Sequence, residues 1–200
     1  MMFTGLIQAL GRLQMLEARE GDLRLRVTTA ANFLEGVREG DSIAVSGVCL
    51  TALQIESNGF AADVSIETLN CTTLGRLQPG HTINLERSLT LATPLGGHFV
   101  SGHVDAVGEV AAILAEARSQ RWTFKVPAGL RRYIASKGSI AVEGVSLTVN
   151  ELTDDGFGVN LIPHTLANTN LGDLRQGDPV NLEVDLLARY VERLMTTRAT

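Results

Sequence analysis

SIAVSGVCLT, residues 42–51, returns at residues 139–148 as SIAVEGVSLT, with eight of ten positions unchanged. The same displacement of 97 residues lays FAADVSIETLNCTTLG (60–75) on FGVNLIPHTLANTNLG (157–172), and GHTINLE (80–86) on GDPVNLE (177–183). Gly5 and Gly11 fall on Gly102 and Gly108. Only 20–41 against 119–138 looks out of step, by two residues. Such a period is too long for a solenoid repeat, and each copy is large enough to be a small domain. The chain therefore divides into tandem domains over 1–97 and 98–185, followed by a segment, 186–200, that has no counterpart in the first copy.

Each copy reads as short strands. Leu23, Leu25 and Val27 alternate with polar residues, as do Trp122, Phe124 and Val126, and a period of two marks half-buried strands. Asn58-Gly59 and Asp155-Gly156 are dipeptides of type I′ hairpins, whose two central residues both need φ > 0. They are expected to join strand 48–55 to 60–65 and strand 145–152 to 157–162. Short helical turns fit at 33–38 and 129–136. Several closely spaced strands in under 100 residues predict an all-β fold of two small closed barrels, since closure removes exposed edges. After Asp185, a helix N-cap candidate, Leu187, Tyr190, Val191 and Leu194 form one apolar stripe over 186–196. A helix this short is marginal in water, so it is expected to pack on a barrel or on another chain.

Composition narrows the function. A net charge of −5 without a Lys/Arg run argues against a nucleic-acid partner. The N-terminal MMFTGLIQALG lacks the features of a signal peptide, and no apolar stretch approaches the roughly 20 residues of a membrane helix. Cys49 and Cys71 have no metal-ligand or CxxC spacing. The expectation is a cytoplasmic protein with reduced thiols and no metal.

A repeat carries its own internal control. Positions kept in both copies serve the fold or a shared ligand mode; altered ones can carry asymmetric work. The seam LGGHFVSGHVD (95–105) concentrates the changes. His103 replaces Leu6, and His98 stands opposite Met1. Elsewhere Ser146 replaces Cys49 and Lys137 replaces Gly40. Imidazole works as acid or base near neutral pH, a hydroxyl can relay a proton, and an ammonium can hold an anion. Against this, a single histidine is more often structural, Lys137 suits a solvated turn, and Ser146 can simply fill a small inward position. Of the two histidines, His103 is the stronger candidate and His98 can be a hinge. Among shared positions, Gly5, Thr51 and Thr68 match Gly102, Thr148 and Thr165. Glycine lets a backbone approach a ligand, and threonine hydroxyls suit a polyhydroxylated molecule; the plainer reading is that threonine is common in strands and glycine in turns.

The blocks MFTGLIQ (2–8), SGVCLT, LGGHFVSGHVD, KGSIAVEGVSLTVN, LIPHT and VNLEVDLLARYVERL run in order along nearly the whole chain. In them the sequence resembles riboflavin synthase of the alpha-chain type. The resemblance implies two six-stranded antiparallel barrels and a C-terminal helix through which three chains form a homotrimer. It implies that two 6,7-dimethyl-8-ribityllumazine molecules exchange a four-carbon unit to give riboflavin and 5-amino-6-(ribitylamino)uracil, with no metal or organic cofactor. Each barrel would bind one lumazine, with the active site where the N-terminal barrel of one subunit meets the C-terminal barrel of its neighbour. Association with lumazine synthase is a further possible partner relation.

By the same resemblance, the lumazine-contacting segments in the first copy are Gly5, Leu6 and Ile7; Cys49, Leu50 and Thr51; and Asp63, Val64, Ser65, Ile66, Glu67 and Thr68. In the second copy they are Gly102, His103 and Val104; Ser146, Leu147 and Thr148; and Asn160, Leu161, Ile162, Pro163, His164 and Thr165. Lys137 would reach a neighbouring subunit's site. The reactive set is His103, Ser146, Thr148, Cys49, Lys137, His98 and Asp185. In it His103, with Ser146 and Thr148, is the candidate base or relay for the acceptor's 7-methyl proton, and Cys49 and Lys137 face the partner substrate. Two rival readings stand: a non-catalytic lumazine- or flavin-binding fluorescent protein of the same fold, and an interaction module built from two barrels.

Overall fold

The computed structural model describes residues 2–19 and 21–197. Met1, opposite which His98 was set, and the tail 198–200 lie outside the described residues. In the first copy the strands are β1 (Ala9–Arg19), β2 (Asp22–Thr29), β3 (Ser42–Val45), β4 (Val48–Thr51), β5 (Leu53–Glu56), β6 (Gly59–Val64) and, after helix α1 (Ile66–Cys71), β7 (Thr82–Arg87). The second copy gives β8 (Ala106–Glu116), β9 (Ser119–Lys125), β10 (Ser139–Val142), β11 (Val145–Thr148), β12 (Glu151–Leu152), β13 (Gly156–Leu161), helix α2 (Pro163–Asn168) and β14 (Pro179–Val184). Helix α3 (Leu186–Thr197) closes the chain. The displacement of 97 holds through 20–41 as well: Leu13 faces Val27 and Val110 faces Phe124; Leu16 faces Leu25 and Ile113 faces Trp122. The slip suggested by residue identity is absent, because strand register depends on inward-facing positions and not on matching letters.

Each copy is one antiparallel sheet, in the orders β4-β3-β7-β1-β2-β6-β5 and β11-β10-β14-β8-β9-β13-β12. The two outermost strands of the first sheet, β4 and β5, are consecutive in the chain and separated only by Ala52. The sheet must therefore curl until its edges meet. What reads as one strand over 48–55 is broken there, which turns six expected strands into seven shorter ones. A bulge recurs at the same place in both copies, between Leu13 and Met15 and between Val110 and Ala112, and adds local twist to the longest strands. Leu13, Leu25, Val27, Ile43, Phe60 and Leu85 fill the first barrel; Val110, Trp122, Phe124, Ile140, Phe157 and Leu182 fill the second. Each such side chain contributes roughly 1.5–3 kcal/mol on burial.

The hairpin glycines do other work than expected. Neither Asn58-Gly59 nor Asp155-Gly156 has the left-handed backbone of a type I′ turn. A Cβ on Gly59 would lie 2.5 Å from the Val27 carbonyl oxygen, and one on Gly156 would lie 1.8 Å from that of Phe124. These glycines let neighbouring strands approach. Among the described residues, the turns with two consecutive positive φ values are Ser46-Gly47 (45° and 82°) and Glu143-Gly144 (51° and 78°), between β3 and β4 and between β10 and β11. The helical turns are 3-10 in form at 31–34 and 128–133, slightly earlier than expected.

These two turns meet on the pseudo-twofold axis between the copies. A Cβ on Gly47 would sit 2.7 Å from the Gly144 amide nitrogen, and the reverse distance is also 2.7 Å. Beside them lies a buried polar cluster. Glu143 accepts from the Asn181 N–H (2.7 Å) and the Asn170 amide (2.9 Å), while Asn84 donates to Asn170 Oδ1 (2.7 Å) and Asn181 donates to the Ser46 carbonyl (2.9 Å). Burial pushes the Glu143 carboxyl above its ordinary 4.5, against the hydrogen bonds from Asn181, Asn170, Ser46 and Thr73. The folded chain then holds this proton at a pH where the unfolded chain has released it, so stability falls as pH rises above 4.5. Urea unfolding from just below that value to neutrality is expected to show the wild type losing stability relative to Glu143→Gln. A difference that does not change with pH would contradict the assignment.

Candidate functional site

The candidate half-sites are assembled by exchange between the copies. The Gly5 carbonyl accepts from the Ser146 N–H in β11 (2.8 Å), and the Gly102 carbonyl accepts from the Cys49 N–H in β4 (2.8 Å). Phe3 and Val100 bridge each other in antiparallel fashion at the crossing. Ile7 packs on the second barrel's core and Val104 on the first's. In space, then, Gly5, Leu6 and Ile7 join Ser146, Leu147 and Thr148, whereas Gly102, His103 and Val104 join Cys49, Leu50 and Thr51. Segments that sequence order lists by copy thus stand together across the copies. Gly5 and Gly102 have φ of 76° and 77°, and a Cβ on either would lie 2.6 Å from the Cβ of Ser146 or Cys49. Their small size serves the approach of the other barrel.

The remaining segments lie at strand ends. Ser65 caps α1, accepting from the Thr68 N–H (3.2 Å), and Pro163 opens α2 after Ile162. Val64, Leu161, Leu50 and Leu147 point into the barrel cores, so they can offer a ligand only their backbone. Thr51, Ser65, Ile66, Glu67, Thr148, Asn160, Ile162, Pro163 and His164 are exposed, and Thr68 and Thr165 are half-buried. The Asp63 carboxylate is held by Arg24 in a two-point ion pair (2.6 and 2.7 Å), which keeps it below its ordinary 3.8. In the second copy Asn160 replaces it, and Arg121 turns instead to Glu116 (2.9 Å).

His98, the weaker candidate from sequence, is the better placed of the two seam histidines. It is buried, and its Nδ1 lies 2.7 Å from Ser146 Oγ. Its backbone N–H donates to the Thr4 carbonyl (3.1 Å), and its buried Nε2 has no hydrogen-bond partner among the described residues. Burial pushes the ring below its ordinary 6.5, with Asp185 pulling weakly the other way, so a neutral imidazole faces the serine. His103 is exposed, beside a cavity of about 380 Å³ that it shares with Asp105, Leu186 and Arg189. Its segment joins that of Cys49 and not that of Ser146, through the Gly102 carbonyl that takes the Cys49 N–H. Burial also pushes the Cys49 thiol above its ordinary 9.0, so at neutral pH it is protonated. Asp185 caps α3, accepting from the Leu187 N–H (2.9 Å). Lys137 is exposed with φ of 66°, a left-handed backbone inherited from the position of Gly40 (φ 91°). Among the described residues no three His, Cys, Asp or Glu side chains converge where a metal ion could sit.

Sequence reasoning passed over two residues that shape both half-sites, Glu86 and Glu183. Both are buried and hold the crossing segments. The signal was present: GHTINLE and GDPVNLE end on the same acid at a position where a strand should hide its side chain.

Comparison with known proteins gives the following. A family model described as the lumazine binding domain matches twice, over residues 4–88 and 101–185. The riboflavin synthase of Mycobacterium tuberculosis (strain H37Rv) is 47% identical over 97% of this chain and 98% of its own. That of Photobacterium phosphoreum is 42% identical over 97% and 89%, and that of Bacillus subtilis 38% over 97% and 90%. Among solved structures, LumP complexed with riboflavin superposes with a TM-score of 0.85 at 30% identity, covering 92% of this chain and 99% of LumP. LumP complexed with 6,7-dimethyl-8-(1'-D-ribityl) lumazine superposes at 0.83 and 29%, with the same coverage.

Proposed function

The chain, with its pair of lumazine-binding domains, belongs to the riboflavin synthases, and on that footing we propose how its two half-sites divide the reaction. The protein is a transferase. It converts two 6,7-dimethyl-8-ribityllumazine molecules into riboflavin and 5-amino-6-(ribitylamino)uracil by moving a four-carbon unit from one to the other. We assign one lumazine to each barrel domain, 1–97 and 98–185, with segment 186–200 joining three chains into a homotrimer. The observation that carries the division of labour is the same half-site built twice, with a buried-side thiol at Cys49 in one and a His98-bonded hydroxyl at Ser146 in the other.

Two identical substrates must act differently, so the faces that hold them must differ. The acceptor loses a proton from its 7-methyl group, and the carbanion is delocalised into its ring. Ser146, hydrogen-bonded to neutral His98 and flanked by Thr148, is the relay at the second face. At the first face stand Cys49 and His103, with Lys137 arriving from a neighbour. Thr51, Thr68, Thr148 and Thr165 repeat on both faces and suit a ribityl chain. In a single chain the exposed Leu6, Ile66, Ile162 and Phe99 leave these faces open, and a neighbouring subunit is the cover we assign to them. Holding two rings in contact supplies much of the rate, roughly 7–11 kcal/mol at best.

His103→Ala is accordingly expected to lower kcat by about tenfold to a hundredfold while leaving KM within a few fold. Complete loss of turnover with normal ligand binding would show a larger role. No helix among the described residues is long and apolar enough to cross a membrane, and we place the protein in the cytoplasm, with lumazine synthase as a possible associate. The deciding assay adds 6,7-dimethyl-8-ribityllumazine and follows absorbance and fluorescence. One riboflavin for every two lumazines consumed is the expected result. A shifted spectrum without riboflavin would instead identify a binding protein of the LumP fold.

A further inference from the structure

Each copy ends its last sheet strand with a buried glutamate that reaches the crossing segments. Glu86, 2% exposed, accepts the Thr4 N–H (2.7 Å) and hydroxyl (2.6 Å) on Oε1 and the Gly5 N–H (2.9 Å) on Oε2. Glu183, 5% exposed, accepts the Ser101 N–H (2.6 Å) and hydroxyl (2.7 Å) and the Gly102 N–H (2.9 Å). A carboxylate that holds two consecutive amides and the hydroxyl of the first residue fixes two peptides: the one between the amides directly, and the next through that hydroxyl, which accepts the Leu6 N–H in one copy (3.1 Å) and the His103 N–H in the other (3.3 Å). For Glu86 the carbonyls so aimed are those of Thr4, which takes the His98 N–H (3.1 Å), and of Gly5, which takes the Ser146 N–H (2.8 Å). For Glu183 the carbonyl is that of Gly102, which takes the Cys49 N–H (2.8 Å).

We propose that Glu86 and Glu183 are positioning residues wired crosswise: Glu86 of the first barrel sets the geometry of the half-site at Ser146 and His98, and Glu183 of the second sets that at Cys49. The proposal rests on the half-sites being the lumazine sites. It follows from the crossing itself, since a residue anchored in one barrel carries its segment onto the other. Neither glutamate touches the face offered to substrate, so each acts through the peptide it holds. Their equivalence under the repeat also means that one asymmetric reaction is tuned by two symmetric supports, with the asymmetry left to Cys49, Ser146 and His98.

Glutamine at either position keeps the size but replaces one acceptor with a donor, leaving an amide N–H unmatched. Titrating riboflavin by fluorescence quenching, Glu86→Gln is expected to weaken one of two binding events by about tenfold, and Glu183→Gln the other. Added to Ser146→Ala, Glu86→Gln should cost less than about twofold more, whereas added to Cys49→Ala it should keep its whole effect. Glu183→Gln should show the mirror pattern. Thr4→Val and Ser101→Ala, which remove only the hydroxyl bonds, give a milder version if the glutamine variants fold poorly. Amide hydrogen exchange tests the wiring without ligand: Glu86→Gln should lower protection at Ser146 and not at Cys49, and Glu183→Gln the reverse. Coupling to the same-copy partner, or equal coupling to both, overturns the proposal. A wild type that binds no riboflavin overturns the reading of the half-sites instead, while the exchange pattern still decides the wiring.

Discussion

Aspartate in place of both Leu187 and Leu194 on α3 is expected to leave a folded chain that sediments as a monomer and turns over lumazine more than about a hundredfold more slowly, because positioning across subunits is lost. The helix is docked on its own barrel by one face: Arg189 pairs with Asp105, and Glu192 pairs with Arg132 (2.8 Å) and takes the Tyr133 hydroxyl. The other face carries Leu187 (61% exposed), Tyr190, Val191, Leu194 (67%) and Met195, all largely exposed. A contiguous apolar stripe of this kind marks an association surface. Its head also lies at the His103 cavity, lined in part by Leu186 and Arg189, so a change at α3 reaches the candidate site directly. Riboflavin binding by the variant is expected to weaken less than turnover, since each barrel keeps its own walls. A trimer that survives the double substitution, or a wild type that sediments as a monomer, would refute the role given to α3.

Alanine at Gly47 or Gly144 is expected to be among the most damaging single changes. Two costs combine there. A non-glycine residue in left-handed backbone loses roughly 1–2 kcal/mol, and Cβ would also enter the amide of the opposing turn at 2.7 Å. Together these should lower stability by more than about 4 kcal/mol, the range reserved for a broken core or buried network. Gly36 supplies the control: its φ is 79°, yet nothing lies within 4 Å of a Cβ built on it, so Gly36→Ala carries the backbone cost alone. Urea unfolding of the three variants separates the terms. Equal losses at all three would mean that the two turns can part freely, and that the Glu143 cluster does not depend on their contact.

Much of this architecture could be read before any coordinate. The repeat, its displacement and its strands were legible because inward positions recur at the same places: Leu25 with Trp122, Val27 with Phe124, Phe60 with Phe157. The N-cap at Asp185 and the apolar stripe after it were legible for the same local reason. Asn58-Gly59 and Asp155-Gly156 misled because a glycine can be required by its own φ or by a neighbour's carbonyl, and a dipeptide does not say which. Ser46 and Glu143 lie within the most similar block of all, and their difference matters only because burial on the pseudo-twofold axis forces Glu143 to find partners in Asn170 and Asn181.

The site itself divides along the same line. Residue types and their displacement identified Cys49, Ser146, His98 and His103 as the positions where the halves differ, and the blocks around them placed the family. Which barrel each segment serves was settled only by contacts between residues far apart in the chain, Gly5 with Ser146 and Gly102 with Cys49. Local propensity governs strands and caps, and it is written within a few residues of each position. The pairing of one barrel's edge with the other copy's leading segment depends on shape and on buried carboxylates that meet only after both sheets have closed. The contact of the His98 ring with Ser146 is likewise set only by folding.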